Sequence, residues 1–539
     1  PVEPPSSGET GTIQPSPGPG RTEAPVEPPS SGFETEAPTT SAPVEPPSSG
    51  NDGTGSPSFM PVTLGGPSRP TRATEAPIAT TPRTPAPNPE GPPVTPIPTT
   101  SSPTDFPTPF PSLTEDNPNY SPSDPGQPGL PFVNITTAAW KTIGNQLTGE
   151  HIDDTFGHDV AMSANGLILA VGADKSSDAS SPTGHAAGYA KIYGFVEQPG
   201  ALNTWEQIGT TLRGDDLTSL FGVSIDLSAN GNIIAIGAPH PGVGNFGYVD
   251  VYRFVAPTLP ATSGDWQRLG GRLNATQDDN GFGMSLALSD NGHRLIVGAP
   301  YHNSRAGWVG VYEAEHNTIT DQMQWVGIGQ PVLGATAAGE YGVSVAISGD
   351  GTIVAAGSVL PEVSVLEFSQ DNSRWERFGP LIVIPQGSSG TTTNDRFTAS
   401  VALSGNGHTM AVGAVETDFG TEDSGSVAVF DYMVASNTWL QRGDVLHGSN
   451  AGDRFGATVV LTPDGQIVGS TSVHYKSFSG HARVFYWDTA SVSWKEVGTQ
   501  IEGKNTQEQF GHALAMSHDG QIIVVSSRVH GVGFADVYT

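Results

Sequence analysis

One pattern limits the possible folds of this chain more than any other. An aromatic-glycine pair recurs seven times at intervals of 55 to 65 residues, starting at Phe156, Phe221, Phe282, Tyr341, Phe397, Phe455 and Phe510, with Thr398 replacing glycine once. Self-similarity at this period marks an architecture of stacked supersecondary units. Each pair leads into an alternating run such as Phe282-Gly283-Met284-Ser285-Leu286-Ala287-Leu288-Ser289. Alternation over eight residues predicts a strand. A Ser/Thr-x-Asn/Asp-Gly turn follows in every unit, from Ser163 to Gly166 in the first and from Ser517 to Gly520 in the last. Asn-Gly and Asp-Gly supply the positive φ that tight hairpins need.

The second strand ends near Gly-Ala-Pro, as at Gly237 to Pro239 and Gly298 to Pro300, and the third reads Gly-x-Val-x-Val-Tyr, as at Gly247 to Tyr252 and Gly307 to Tyr312. The fourth carries Trp-x-x-x-Gly, beginning at Trp140, Trp205, Trp266, Trp325, Trp375, Trp439 and Trp494. Seven units of four antiparallel strands predict an all-β, seven-bladed propeller. Side-chain size agrees: one face of the first strand is bulky (Phe282, Met284, Leu286, Leu288) and the other small (Gly283, Ser285, Ala287, Ser289). Blades of this kind can nest bulky face on small face around a ring.

The order of the parts predicts how the ring closes. The last unit ends at Val537-Tyr538 with no tryptophan strand after it, whereas Trp140 to Gly144 precedes the first Phe-Gly. The N-terminal strand is therefore expected to complete the C-terminal blade, because an open ring would leave unpaired edges.

Phe-Gly, Gly-Ala-Pro and Gly-x-Val-x-Val-Tyr together resemble the FG-GAP repeat of integrin α-subunit propellers and related secreted repeat proteins, over about 400 residues from Trp140 onward. The resemblance implies an extracellular or cell-surface adhesion or recognition head. Its ligands would bind on the face formed by the loops entering strand one and those joining strands two and three. Integrin-like repeats often add an Asp-x-Asp-x-Asp-Gly calcium loop. Here the corresponding loops are short and poor in acids, for example Ser163-Ala164-Asn165-Gly166 and Ser348-Gly349-Asp350-Gly351. Calcium takes six to eight oxygen ligands, so no calcium site is carried over and no cofactor or metal is expected.

Residues 1–131 differ from the repeat region (132–539). They hold 35 of the 47 prolines, three copies of Pro-Val-Glu-Pro-Pro-Ser-Ser-Gly and few apolar residues. Proline blocks helix and sheet propagation, and so little apolar surface cannot offset the entropy of ordering. A disordered Pro/Ser/Thr-rich stalk or linker is expected, resembling O-glycosylated stalks in composition. Cysteine is absent, which excludes disulfides, thiolate metal sites and a cysteine nucleophile. The net charge of −31 divides into −10 before Phe132 and −21 after it, which argues against nucleic acid and anionic membrane surfaces as partners. No apolar run is long enough for a membrane span. The chain starts at Pro1 without a leader, so its natural start is expected to lie upstream, and secretion or surface display is expected from the family resemblance.

Candidate ligand-binding residues gather on the loop side. Asp153, Asp154, Asp215, Asp216, Asp278, Asp279, Asp395, Asp453 and Glu508 lie just before the aromatic-glycine openings. They would either attract a cation or cap their own turns, as aspartate commonly does. His240, His302, His474 and His530 follow second strands, and His185 lies in the long loop Asp174 to Gly188, but without metal-binding spacing. Trp308 and Trp487 stand outside the repeated tryptophan positions and are freer to meet a ligand. Asn119, Asn134 and Asn274 open Asn-x-Ser/Thr sequons, candidates for glycosylation. Loops between strands two and three vary, from acidic Thr417 to Gly425 to minimal Leu360 to Val363, whereas the Asn-Gly turns are uniformly short. The expected function is recognition of a protein or glycan by a monomeric, non-catalytic propeller. A propeller hydrolase or lyase acting on polysaccharide, and a purely structural wall or matrix protein, are the alternatives. No nucleophile elbow, phosphate loop or metalloprotease helix appears.

Overall fold

In the computed structural model, residues 139–175, 187–215, 219–239, 246–256, 264–275, 281–384, 400–419, 421–528 and 532–539 are described. Residues 1–131, expected to form a stalk or linker, lie outside them, as do Phe397 and Asp395. Seven antiparallel sheets form the blades of a propeller. The first blade runs Val160–Met162, Ile168–Ala173, Tyr189–Val196 and Thr204–Gln207, and the others repeat it.

The seventh blade takes its outer strand from the other end of the chain. Leu147 and Thr148 pair with Ala535 and Phe534, and Thr142 bridges Tyr538. Lys141 and Thr539 exchange backbone hydrogen bonds at 3.0 and 2.9 Å. The N-terminal strand thus closes the ring.

Two boundaries differ from the sequence expectation. The regular first strand begins three or four residues after the aromatic of the pair, as at Ser285–Leu288. The outer strand does not stop at the glycine of Trp-x-x-x-Gly. It bends there and rejoins the third strand for two more residues, Leu212–Arg213 in the first blade. That glycine has φ between +65° and +80° in all seven units, a conformation costly for residues with a Cβ.

The core is not central. It consists of separate apolar wedges, each between two neighbouring blades. Phe282, Leu286, Leu288 and Leu295 pack against Ile233, Ala235, Val249 and Val251 of the preceding blade. On the other side Ile296, Val309 and Val311 meet Tyr341, Val345, Val354 and Trp375. The bulky face of each first strand therefore meets the blade before it. The small face permits hydrogen bonding forward: Ser224 and Ser285 donate to the carbonyls of Gly283 and Gly342 at 2.7 Å.

The glycines of the repeat are the points of closest approach. A Cβ on Gly237 would lie 2.1 Å from the Gly283 carbonyl oxygen, and one on Gly247 would lie 2.2 Å from that of Phe282. In the seventh blade Ser526 replaces the Gly-Ala-Pro glycine and turns the contact into a hydrogen bond, donating to the Gly157 carbonyl at 2.6 Å.

Further out, every repeated tryptophan donates its indole N–H to the preceding blade, to the carbonyl just before the bent glycine. Trp205 reaches Ile143, Trp266 Ile208, Trp325 Leu269, Trp375 Ile328, Trp439 Phe378, Trp494 Arg442 and Trp140 Val497, all at 2.9–3.2 Å. Near the axis, the short turns form a second circle. The amides of His518, Ala164, Ala229, Asp290, Gly349 and Gly405 donate to the carbonyls of Ala164, Ala229, Asp290, Gly349, Gly405 and Pro463 at 2.8–2.9 Å. Pro463 has no N–H, so the seventh link, to His518, cannot form.

Two outcomes are expected. Deleting residues up to Gly144 removes the Trp140 contact and half of the closing strand, and should lower the melting temperature by on the order of 5–10 °C; an unchanged value would refute the closure. Gly237→Ala should destabilise by about 3 kcal/mol in urea denaturation. Gly271→Ala, where nothing lies within 4 Å, should change stability by about 0.5 kcal/mol at most.

Candidate functional site

Hairpin topology puts the entry loops and the strand two–three loops on one face of the disc. The opposite face carries the short turns and the strand three–four hairpins. Those hairpins differ in length and expose Leu202, Ile319, Val434 and Val492 at or near their tips. Variation is therefore not confined to the first face, as the turns alone suggested.

On the loop face, neighbouring blades are joined through their backbones. Ala338 and Glu340 donate to the carbonyls of Ser304 and Arg305, and Gln507 and Gln509 donate to those of Ser477 and Phe478. To do this the entry loops take positive φ at alternate residues: 66° at Asp153, 60° at Thr155, 60° at Ala338 and 51° at Glu340. Asn303, Ser304 and Arg305 form a left-handed turn, repeated by Lys476, Ser477 and Phe478. Such conformations often mark ligand sites. Their recurrence from blade to blade here ties them to the architecture.

The acidic residues divide by position. Asp154 is fully buried. Its carboxylate accepts the amides of Glu150 and His151 at 2.8 and 3.1 Å, that of Phe156 at 3.1 Å, and the Tyr189 hydroxyl. Asp453 accepts the amides of Ser449 and Asn450, and Glu508 that of Asn505. These three hold their own loops. Asp153 is exposed. Asp215 is 60 % exposed and meets Arg272 at 2.6 Å. Arg272 also joins Arg268 in neutralising Asp250, which is fully buried, and lies 3.7 Å over the Tyr248 ring. Nothing in the spacing of Asp250, Arg268 and Arg272 announced this network.

Trp308 is 5 % exposed and stacked on Phe282 at 5.8 Å, and its indole N–H has no partner among the described residues. His302 lies against it at 6.3 Å. Trp487 packs on Trp494 and over Gly443. Asn274 is exposed. Asp216, Asp278, Asp279, His185, His240, His530, Asn119 and Asn134 lie outside the described residues, as does most of the Asp174–Gly188 loop. The candidates the structure does show are spread over several blades and do not converge on one point. Among the described residues no three His, Asp or Glu side chains are grouped to hold a metal ion. No described helix is long and apolar enough to cross a membrane. A cavity of about 20 Å³ between the third and fourth blades, lined by Thr336, Tyr341, Glu362 and Ser364 among others, has room for about one water.

Among the described residues of the loop face, a charged group spans the fifth blade and its neighbour: Glu422 is exposed, and Asp418 is buried and accepts the Asp423 amide at 2.9 Å. Arg454 reaches Glu416 at 3.5 Å and Asp423 at 3.8 Å. Burial, together with Glu416, Asp418 and Glu422, raises the Asp423 carboxyl above its usual range despite Arg454.

The axial channel holds titratable groups that the alternating pattern obscured. Asp226 belongs to an innermost strand and Asp159 immediately precedes one, and both are part exposed. Each turns one carboxylate oxygen to the next blade. Asp159 accepts the amides of Val160 and, in the next blade, Ile225; Asp226 accepts those of Leu227 and Leu288. Burial pushes both carboxyls up to about 7, opposed by these hydrogen bonds and reinforced by the next carboxylate along.

The structure supplies seven like-built blades, and the comparison with known families identifies the motif. Residues 388–430 match the FG-GAP repeat. This repeat spans the opening and first three strands of the fifth blade, the unit in which threonine replaces the glycine of Phe-Gly. The other six blades repeat its strand order. No curated protein matches the chain.

The channel carboxylates carry a pH signature. Asp226 is held protonated in the folded state up to about pH 7 but ionises near 3.9 when unfolded, so wild-type stability should fall as pH rises between these values. Asp226→Asn should gain on wild type by about 1–3 kcal/mol from pH 5 to pH 8.5. Parallel urea-denaturation profiles would contradict this.

Proposed function

We propose that this FG-GAP propeller is a non-catalytic recognition module, secreted or displayed at a cell surface, that binds a protein or glycan through its loop face. The observation that carries the reading is a division of labour within the repeat. The recurring glycines, phenylalanines, serines and tryptophans are consumed in blade-to-blade contacts, while the residues that change from unit to unit project from the loops. Rigid scaffolds bearing variable loops are a common arrangement for binding. The FG-GAP match supports ligand binding without specifying the partner.

The fifth-blade segment Glu416 to Asp423, with Arg454 beside it, is the best-described candidate contact. Its Glu422 is exposed and its Asp423 partly exposed. Asp153 and Asp215 extend the acidic character of the same face.

The full chain should show saturable binding to one class of immobilised glycan or protein in an array or pull-down screen. Replacing Glu422 and Asp423 by their amides should weaken that binding at least tenfold and leave the melting temperature within about 2 °C. Binding unaffected by these changes, and by substitutions at Asp153 and Asp215, would remove the loop face as the site.

A further inference from the structure

The seventh and first blades meet at the joint that closes the ring. At its axial end, the rings of His158 and His512 make an edge contact at 5.1 Å. His158 Nδ1 lies 3.0 Å from the Val223 carbonyl oxygen. A carbonyl only accepts, so Nδ1 carries the hydrogen. Neutral His158 then turns a bare Nε2 toward Asp174, whose Oδ2 lies 3.9 Å away. The other Asp174 oxygen accepts the Thr155 hydroxyl. Two acceptors face each other across a gap that one proton on Nε2 would bridge.

Among the described residues, a second proton on His512 would find no carboxylate of its own. Arg528 acts on both imidazoles and Lys175 on His158; both are positive, and among the described residues Asp174 is the acid that acts on His158. The nearby carboxylate of Asp159 is turned to the next blade. At the rim, the same joint depends on the N-terminal strand: Ile143 accepts the Trp205 indole, and Leu147 belongs to the apolar wedge between these blades.

We infer that the joint between the seventh and first blades is an acid-sensitive latch, closed while His158 and His512 are neutral and loosened when both carry protons. The chemistry agrees in direction. Burial holds His158 below the ordinary imidazole range, with Arg528 and Lys175 assisting and Asp174 opposing, and burial with the neighbouring His158 and Arg528 holds His512 well below it. An imidazole with a lowered folded pKa stabilises the fold above its unfolded value near 6.5, and that stability drains away as pH falls toward the folded value. Asp159 and Asp226 work in the opposite sense, so the latch is read from a difference between proteins, not from one curve.

The test compares the full chain with His158→Gln/His512→Gln from pH 7.5 to pH 5. Relative to the variant, the wild-type folding equilibrium constant should fall at least tenfold across this window. Amide exchange at Ile143 and Thr539, corrected for intrinsic rates, should accelerate in the wild type at pH 5 before the third and fourth blades respond. Equal pH profiles for the two proteins would overturn the latch. If the variant fails to fold, titration of the wild-type imidazole protons decides: midpoints below 6.5 for both rings uphold it, and a midpoint at or above 6.5 for either overturns it.

Discussion

The fold depends on how closely adjacent blades can approach. Carbonyl oxygens sit where a Cβ would otherwise be, with 2.1 Å between the Gly283 oxygen and a methyl built on Gly237. That closeness lets the Phe282 wedge exclude water and brings each tryptophan within reach of the preceding blade's carbonyl. Burying one phenylalanine is worth roughly 2–3 kcal/mol, and an indole hydrogen bond about 1 kcal/mol more. Neither gain survives if the blades are held apart. The repeated motif is therefore a set of joints, which explains why its residues are spent inside the disc.

The sevenfold recurrence made the architecture legible because each joint needs the same small residues at the same place. Ring closure was legible from Trp140 because a tryptophan strand without its blade matches a blade without its tryptophan strand. The split outer strand was not, since Gly209 looks like an end signal until its positive φ is seen to bend the chain and continue it. The axial circle was also hidden. Backbone groups carry no sequence signature, and only Pro463 marks the place where a donor is missing.

The charged groups were less legible for a different reason. Asp153 and Asp154 are adjacent in sequence, yet one faces solvent and the other anchors a loop with four donors. Asp159 and Asp226 stand in runs that read as ordinary strands, and the ring alone brings each against the next blade. Their behaviour comes from partners some sixty residues away, such as Ile225 and Leu288. Spacing along the chain cannot report such partners, which is why the acidic loops stood out while the channel carboxylates did not.

The closing strand also sets a schedule. Gln146 bonds Asp536 across 390 residues of chain, so the first-made piece of the propeller has no partner until those residues have been synthesised. At about 5–20 residues per second, that wait is on the order of 20–80 s. For that time the earlier blades can assemble pairwise on the ribosome, but the circle stays a horseshoe with two bare ends. Joining them spans nearly the whole repeat region, so it should be the slow, late event in folding.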